Sequence, residues 1–485
     1  MDTNAFFNLN NLTTDDVQNL AGSAADFLMG NGVLYRSKSS ADQVEHAPFM
    51  LFPTPYPRKL FDQAKAVQKD FNELVHKVSL DHEFLKESLQ STMAVDKFMG
   101  RIYEMYEQIR KEGIAQPISL SLLRSDYMID SDKPTFNGDV NDLKIKQVEI
   151  NTIASSFGCL GSKLPGMGSY VLGLQGKDIP VGSRQLPYNR ALEGMAEGLA
   201  QAWEFYGSNK AVVVMVVTDD ERNAFDQKFL EFHLHQRKPR IPLFRRSLSA
   251  ILKNGELRED KKLILEGHEV AVVYFRAGYS PSCYNSEDAW TSRLMIERSK
   301  AIKCPTMAMQ LVGTKKVQQV LAEPGVLERF VSDQDALRRI RATFTGLYTL
   351  DEGPEGDKTV QLALQDPDRY VLKPQREGGG NNIFGEDIRT TLNRMTSTHD
   401  RSQFILMDRI RTPTIMNYIV RPEMDAPALA PVISEFGTFG VLVSINDKIL
   451  ISSEVGHLMR TKSIEHQDGG VASGRANLDS PFLVE

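Results

Sequence analysis

Cysteine is scarce in this chain: Cys159, Cys283 and Cys304 are the three in 485 residues. Their odd number and wide spacing exclude a disulfide framework and a zinc ribbon, and predict a reducing, cytoplasmic setting. Long apolar runs are also lacking. The longest, Ala211 to Val217, falls far short of the roughly 18 residues a membrane-spanning helix needs. The first 34 residues carry Asp15, Asp16 and Asp26 but no lysine or arginine, which predicts neither a secretory leader nor a transit peptide. Basic residues are not in excess: 57 stand against 63 acidic ones, a net charge of -6. That argues against a dedicated nucleic-acid surface while leaving room for a local basic cleft around a small anion. Nucleophile and metal motifs are absent too. There is no Gly-x-Ser-x-Gly elbow, Glu454-Val455-Gly456-His457 lacks the second histidine of a zincin, and His233 and His235 have no third ligand type nearby. The basic run Arg237, Lys238, Arg240, Arg245 and Arg246 is broken by Pro239 and Pro242 and carries one aromatic, Phe244. It reads as a solvated connecting loop.

What is present is an average soluble composition, 41% hydrophobic and 25% charged, in a chain too long for one ordinary core. Two or three domains, or one large α/β body with an insertion, are expected. Helical apolar spacing runs from 58 to 112 without a proline and predicts a helical layer. Strands are expected at 118–123, 145–151, 369–374, 403–407, 432–435, 440–445 and 448–453. A Gly- and Pro-rich stretch, 161–182, reads as a loop. A helix over 191–206 ends at Gly207 as its C-cap. The apolar runs 211–217 and 270–276, with helical stretches after the first and over 290–303, indicate buried parallel strands in an inserted α/β unit, 210–308. It separates an N-terminal part, 1–209, from a C-terminal part, 309–485. The fold class is therefore α/β (α+β).

The chemistry lies in glycines and cations. Lys373-Pro374-Gln375-Arg376-Glu377 opens into Gly378, Gly379 and Gly380, then Asn381 and Asn382. Glycines let backbone N–H groups approach phosphate oxygens, lysine supplies point charge, and glutamate offers magnesium a hard oxygen. It is not a Walker A loop, and a glycine triplet between polar residues is also an ordinary surface turn. Glu149 and Asn151, two apart on a strand, project from one face and can share a cation, or simply face solvent. Lys315-Lys316 is a candidate phosphate contact or a solvated pair. In 457–462 Arg460 and Lys462 share a face if the segment is a strand, and a second glycine-rich loop, about 466–475, follows.

Five ordered blocks, Arg124 to Tyr127, Val148 to Ile153, Gly313 to Gln319, Lys373 to Asn382 and Gly456 to Lys462, together resemble eukaryotic glutathione synthetase. The resemblance runs from about residue 30 to the C-terminus. It implies an ATP-grasp fold and a ligase that joins γ-glutamylcysteine to glycine, with ATP split to ADP and phosphate through an acyl phosphate. It also implies a magnesium cofactor and a homodimer. Glu149, Asn151 and Glu377 resemble the metal ligands, with Glu149 also at the nucleotide. Lys315 and Lys373 resemble the phosphate lysines. Gly378, Gly379, Gly380, Asn382 and Phe384 resemble the lid, about 373–390. Met407, Asp408, Arg409, Ile410 and Glu435 resemble the adenine hinge, and Lys462 and Asp468 resemble further ATP contacts. Arg124, Ser156, Asn223, Gln227, Arg276 and Tyr279 match dipeptide contacts, while Arg460, Val471 and Ala472 match the second substrate loop. Arg460, Lys315 and Lys373 are the expected catalytic groups. Phe384 stands where an animal relative has tyrosine, and Ala154 replaces a serine. The alternatives are a ligase using β-alanine or serine as acceptor, and a nucleotide-binding module without turnover.

Overall fold

In the computed structural model the described residues are 3–37, 40, 42–133, 140–376, 380–395, 397–467, 469–471 and 474–485. Among them, Glu377, Gly378, Gly379, Asp468 and Ala472 do not appear, so the expectations placed on those five lie outside the described residues.

The described strands build a central sheet of thirteen strands and a separate four-stranded sheet, besides two short pairs. The long antiparallel strands Ile118–Asp130, Ala428–Ile445 and Lys448–Ser463 form the middle of the large sheet. Lys144–Asn151 pairs antiparallel with Ile118–Asp130. Beyond Ile118–Asp130 the sheet continues into parallel strands Ile302–Cys304, His268–Phe275, Val212–Val216 and Leu243–Arg246. The strands of 210–308 thus extend the central sheet.

Alternation sorts the side chains of this sheet into two cores. Val212, Val214 and Val216 share one core with Leu123, Tyr127 and Phe436 and with the helices of residues 58–112. Val213 and Met215 face the other way, with Leu120, Leu122 and Val441 under the helix Ala191–Tyr206. A strand covered on both faces reads as an unbroken apolar run, which is why 211–217 is so legible. Glycine sets how closely Ala191–Tyr206 can approach: a Cβ on Gly198 would come within 2.7 Å of Val441. Gly207 closes this helix at φ 83°, the left-handed C-cap glycine adopts readily.

Several boundaries differ from expectation. The helical region 58–112 is three helices, Arg58–Leu80, His82–Val95 and Lys97–Glu112. The two later ones start on aspartate caps, Asp81 accepting from Phe84 N–H and Asp96 from Phe98 and Met99 N–H. The stretch 161–182 contains the helix Leu164–Leu174, whose proline lies in the first turn, where its missing N–H costs nothing. The expected helix 290–303 is Glu287–Glu297, and Ile302–Cys304 is a strand. Within the basic stretch, Leu243–Arg246 is a strand and Arg237 pairs with Glu197 and Glu204. The separate strands expected at 432–435 and 440–445 are one, Ala428–Ile445. Gly437, within this strand, serves close packing: a Cβ there would lie 2.5 Å from an Asp126 carboxylate oxygen.

The four-stranded antiparallel sheet, Leu347–Thr349, Phe404–Asp408, Tyr370–Pro374 and Ile383–Phe384, carries the helices Pro354–Gln365 and Glu386–Arg394 on a small core of Leu350, Leu372, Ile388 and Leu406. A cleft separates it from the ends of the long strands.

Candidate active site

The cleft contains a cavity of about 640 Å³. One wall is the small sheet, with Lys373, Asn382 and Phe384 and the segment Met407, Asp408, Arg409 and Ile410. The other wall is the ends of the long strands, with Met128, Glu435 and Lys462. Of the expected nucleotide residues that are described, Lys373, Asn382, Phe384, Met407, Asp408, Arg409, Ile410, Glu435 and Lys462 line this one space of ligand size, while Glu149, Lys315 and Gly380 are not part of its lining. Arg409 stacks over Phe384, 6.0 Å from the ring centroid. Gly380, just beyond the undescribed residues, has φ 81°.

Strand pairing assembles the charged floor. In the register of Ile118–Asp130 with Lys144–Asn151, Arg124 lies opposite Asn151 and Asp126 opposite Glu149. Arg124 grips Asp126 with two N–H groups, Nε at 2.6 Å and Nη2 at 2.8 Å. Asn151 Nδ2 donates to Asp126 at 2.9 Å, and Arg460 Nη2 to the same carboxylate at 3.1 Å. Arg460 also donates to Glu435, its cross-strand partner. Asp126 and the mid-strand Gly437 that makes room for it were not anticipated from the sequence. Burial raises the pKa of Glu435, with Asp126 and Glu149 adding to the rise against Arg460 and Arg124. Burial lowers that of Arg460, but Glu435 and Asp126 outweigh it and the net direction is upward.

A bulge opposite Asp126 and Tyr127 leaves Val148 without a strand partner, and its carbonyl accepts from Lys373 Nζ at 2.8 Å. Lys315, at the start of the helix Lys315–Leu321, donates to the Arg376 carbonyl at 2.7 Å and lies 3.7 Å from Glu149. Burial alone would raise the Glu149 pKa; Lys315, Lys373, Arg460 and Arg124 reverse this and hold it at about 2, so Glu149 is ionised at neutral pH. Gln318, one turn along from Lys315, donates to the Ile150 carbonyl and accepts from its N–H, standing in for a strand partner between Glu149 and Asn151. Lys316 is buried on Asp351, Thr349 and Gln319, so the two lysines of that pair have different surroundings. Among the described residues there is no cluster of three His, Cys, Asp or Glu side chains able to hold a metal.

The expected dipeptide residues lie next to this floor. Ser156 joins two arginines, its carbonyl accepting from Arg124 at 3.1 Å and its hydroxyl from Arg276 at 3.0 Å. Arg276 is buried and paired with Asp226 at 3.0 Å, while its Nε and Nη1 have no protein partner. Buried guanidinium nitrogens without a protein partner suit a carboxylate ligand. Asp226, absent from the sequence expectations, also accepts the N–H groups of Phe157, Cys159 and Leu160. Asn223 has a buried, unpartnered Oδ1, and Gln227 is fully buried. Tyr279 lines a small neighbouring cavity with Thr152 and Gly313. Val471 is buried in the core that also holds Leu192 and Leu199, and Lys462 Nζ donates to the Gln467 carbonyl at 2.6 Å.

Comparison with known proteins agrees with this geometry. Residues 14–483 match the family described as eukaryotic glutathione synthase, ATP binding domain. The chain is 46% identical to glutathione synthetase of Xenopus laevis, over 96% of this chain and 97% of that one. It is 44% identical to that of Homo sapiens at the same coverage. It is 40% identical to the chloroplastic glutathione synthetase of Solanum lycopersicum, over 96% of this chain and 84% of the relative. A solved glutathione synthetase-like effector of Globodera pallida in its apo form superposes with a TM-score of 0.78 at 27% identity, covering 98% of both chains. With its ATP-grasp fold and mixed α/β sheet, this chain belongs to the eukaryotic glutathione synthase family of ligases.

Proposed function

We propose that this protein forms glutathione, joining the cysteinyl carboxylate of γ-glutamylcysteine to the amine of glycine at the expense of ATP. The observation that carries this reading is the cluster Asp126–Arg124–Asn151–Arg460–Glu435, which meets through Glu435 the cavity lined by Lys373 and Lys462. Guanidiniums that fit a carboxylate adjoin lysines that fit phosphates, and no side-chain nucleophile is needed. A cysteinyl carboxylate oxygen attacks the γ-phosphorus, the bond to the β-phosphate oxygen breaks, and ADP leaves. Glycine nitrogen then attacks the acyl phosphate carbon, inorganic phosphate departs, and the amine gives up a proton. Such chemistry depends on positioning and charge. Lys315 and Lys373 neutralise transferring oxygens, and Arg460 stabilises charge at the reacting carboxyl.

The donor set fits magnesium. The carboxylate of Glu149 is ionised, and Asn151 turns its amide nitrogen to Asp126 and the Arg124 carbonyl, which gives its amide oxygen to a cation. Two such hard oxygens, with phosphates, water and Glu377, are what this ion takes. When bound it would screen the phosphate charge. The segment 210–308 supplies Asn223, Gln227, Arg276 and Tyr279 and acts as the substrate-binding unit, with Val471 and Ala472 on the acceptor side. On the family resemblance we place the enzyme in the cytoplasm as a homodimer; among the described residues no helix is long and apolar enough to cross a membrane.

The test is ADP release with magnesium, ATP and γ-glutamylcysteine, comparing glycine, β-alanine and serine as acceptors and identifying the tripeptide by mass. Turnover mainly with glycine is expected. ATP binding without turnover on any acceptor would overturn the proposal.

A further inference from the structure

Arg245 lies on the strand Leu243–Arg246, in the stretch whose sequence reads as a solvated loop. Its side chain is half-buried and turned inward. Nε and Nη2 donate to the same acceptor, Gln227 Oε1, at 2.9 and 2.6 Å. A guanidinium has donors and no acceptor, so Gln227 must offer it the amide oxygen. Its amide nitrogen then faces Glu221, and donates to Oε2 at 2.7 Å. A carboxylate accepts only, so the far end of the chain fixes the same orientation. Glu221 Oε1 is tied by the N–H of Asn223 at 2.8 Å. Four residues thus hold one another in a single arrangement, and chemistry at both ends specifies which way the Gln227 amide points.

This array borders the unpartnered buried polar atoms of the site, Asn223 Oδ1 and Arg276 Nε and Nη1. Acceptors beside a guanidinium are complementary to an ammonium beside a carboxylate, the head group of a free α-amino acid. In γ-glutamylcysteine that group is the α-amino acid end of the γ-glutamyl residue. Resting on the functional reading above, we infer that Arg245 is a positioning residue for the dipeptide: it orients Gln227 and, through it, Glu221, so that the receptor for the zwitterionic head is set before the substrate arrives. Without Arg245 the buried amide can turn over, and Glu221 loses a fixed donor. The consequence falls on the dipeptide and leaves ATP and glycine alone.

The experiment is steady-state kinetics of the full-length enzyme and of Arg245→Met, Arg245→Lys and Arg246→Met, with glutarylcysteine, the desamino analogue, as a second substrate. Arg246 is the control, because its guanidinium is occupied by Glu266 at 2.7 and 2.6 Å. For Arg245→Met the KM for γ-glutamylcysteine rises about tenfold, the size of one lost charge-assisted hydrogen bond. The KM values for ATP and glycine stay within about twofold, a shift below that of any single lost hydrogen bond. The preference for γ-glutamylcysteine over glutarylcysteine shrinks by a similar factor. Arg245→Lys, which keeps a cationic donor on one nitrogen but not the two-nitrogen fork, recovers part of the loss, and Arg246→Met matches the wild type. Unshifted kinetics in Arg245→Met overturn the inference. So does a parallel rise in all three KM values with a lowered melting temperature, which marks a merely structural arginine. If Arg245→Met does not fold, Arg245→Lys decides, by showing or lacking a smaller shift confined to the dipeptide. Failure of the wild-type enzyme to turn over γ-glutamylcysteine would defeat the functional reading itself; normal wild-type turnover with unshifted variants defeats only the role of Arg245.

Discussion

Where Arg124, Arg276 and Arg460 lie, each guanidinium is matched by a carboxylate of the chain, Asp126, Asp226 and Glu435 in turn, whereas Lys315 and Lys373 donate to the main-chain carbonyls of Arg376 and Val148 and have Glu149 as their ionised neighbour. The first region is part of the fold's own electrostatics. Its guanidiniums are held by the chain's own carboxylates before any ligand enters, so the loss of one of those carboxylates is felt as stability. The second region gathers cations around a single half-buried carboxylate and is completed by the charge of what binds, so its loss is felt as turnover. Rigid pairing suits recognition of a small zwitterionic peptide; concentrated positive charge suits a polyphosphate.

The sharpest way to break this contrast is to remove a counter-charge from the first region. Asp226→Ala leaves Arg276 buried without its partner and strips the acceptor from three N–H groups. A loss of about 3 to 5 kcal/mol is expected, read by denaturant unfolding. Equal stability of variant and wild type would show that the pair is not structural. In the second region, Lys315→Met is expected to keep the wild-type melting temperature while kcat falls roughly a hundredfold to a thousandfold, the scale of one lost charge-stabilising donor. A cooperative loss of folding there would erase the distinction.

A smaller effect concerns His457, which neither region uses. It is buried between Phe61 and Phe436. Burial, helped by Lys65, lowers its pKa from 6.5 to about 3. The folded protein therefore holds it neutral while the unfolded chain protonates it. Stability from this group is complete above pH 6.5 and is lost progressively as pH falls toward 3. At pH 5 the loss is about 2 kcal/mol. His457→Gln is expected to flatten that part of the pH–stability curve, measured by urea titration between pH 7 and pH 5, and an unchanged slope would remove His457 as its source.

Much of the first layer was legible. Alternation placed Glu149 and Asn151 on one face, the unbroken run 211–217 gave a doubly covered strand, and the glycine after Tyr206 gave the helix end. The long strand Lys448–Ser463 puts Arg460 and Lys462 on one face, as the conditional reading had it. What stayed hidden depends on pairings between segments far apart in sequence. Asp126 lies beyond the expected strand 118–123, and its place emerges only because that strand runs on to Asp130 and register sets it opposite Glu149, where Arg460 donates to it. Gln318 becomes informative only when Ile150 proves to need a substitute partner. Arg245 sits among prolines and other arginines, where composition indicates solvent, and only its parallel pairing with Val212–Val216 turns it toward Gln227. Gly437 is of the same kind: its missing side chain makes room for the Arg124–Asp126 pair, which only the pairing of the two strands brings beside it.

The most direct test of the contrast is calorimetric binding of γ-glutamylcysteine to the enzyme without ATP or magnesium, for wild type and Lys315→Met. A receptor whose charges are already paired and oriented binds the dipeptide in both proteins with the same affinity. Binding that appears only after magnesium and nucleotide are added, or that is lost with Lys315, would contradict it.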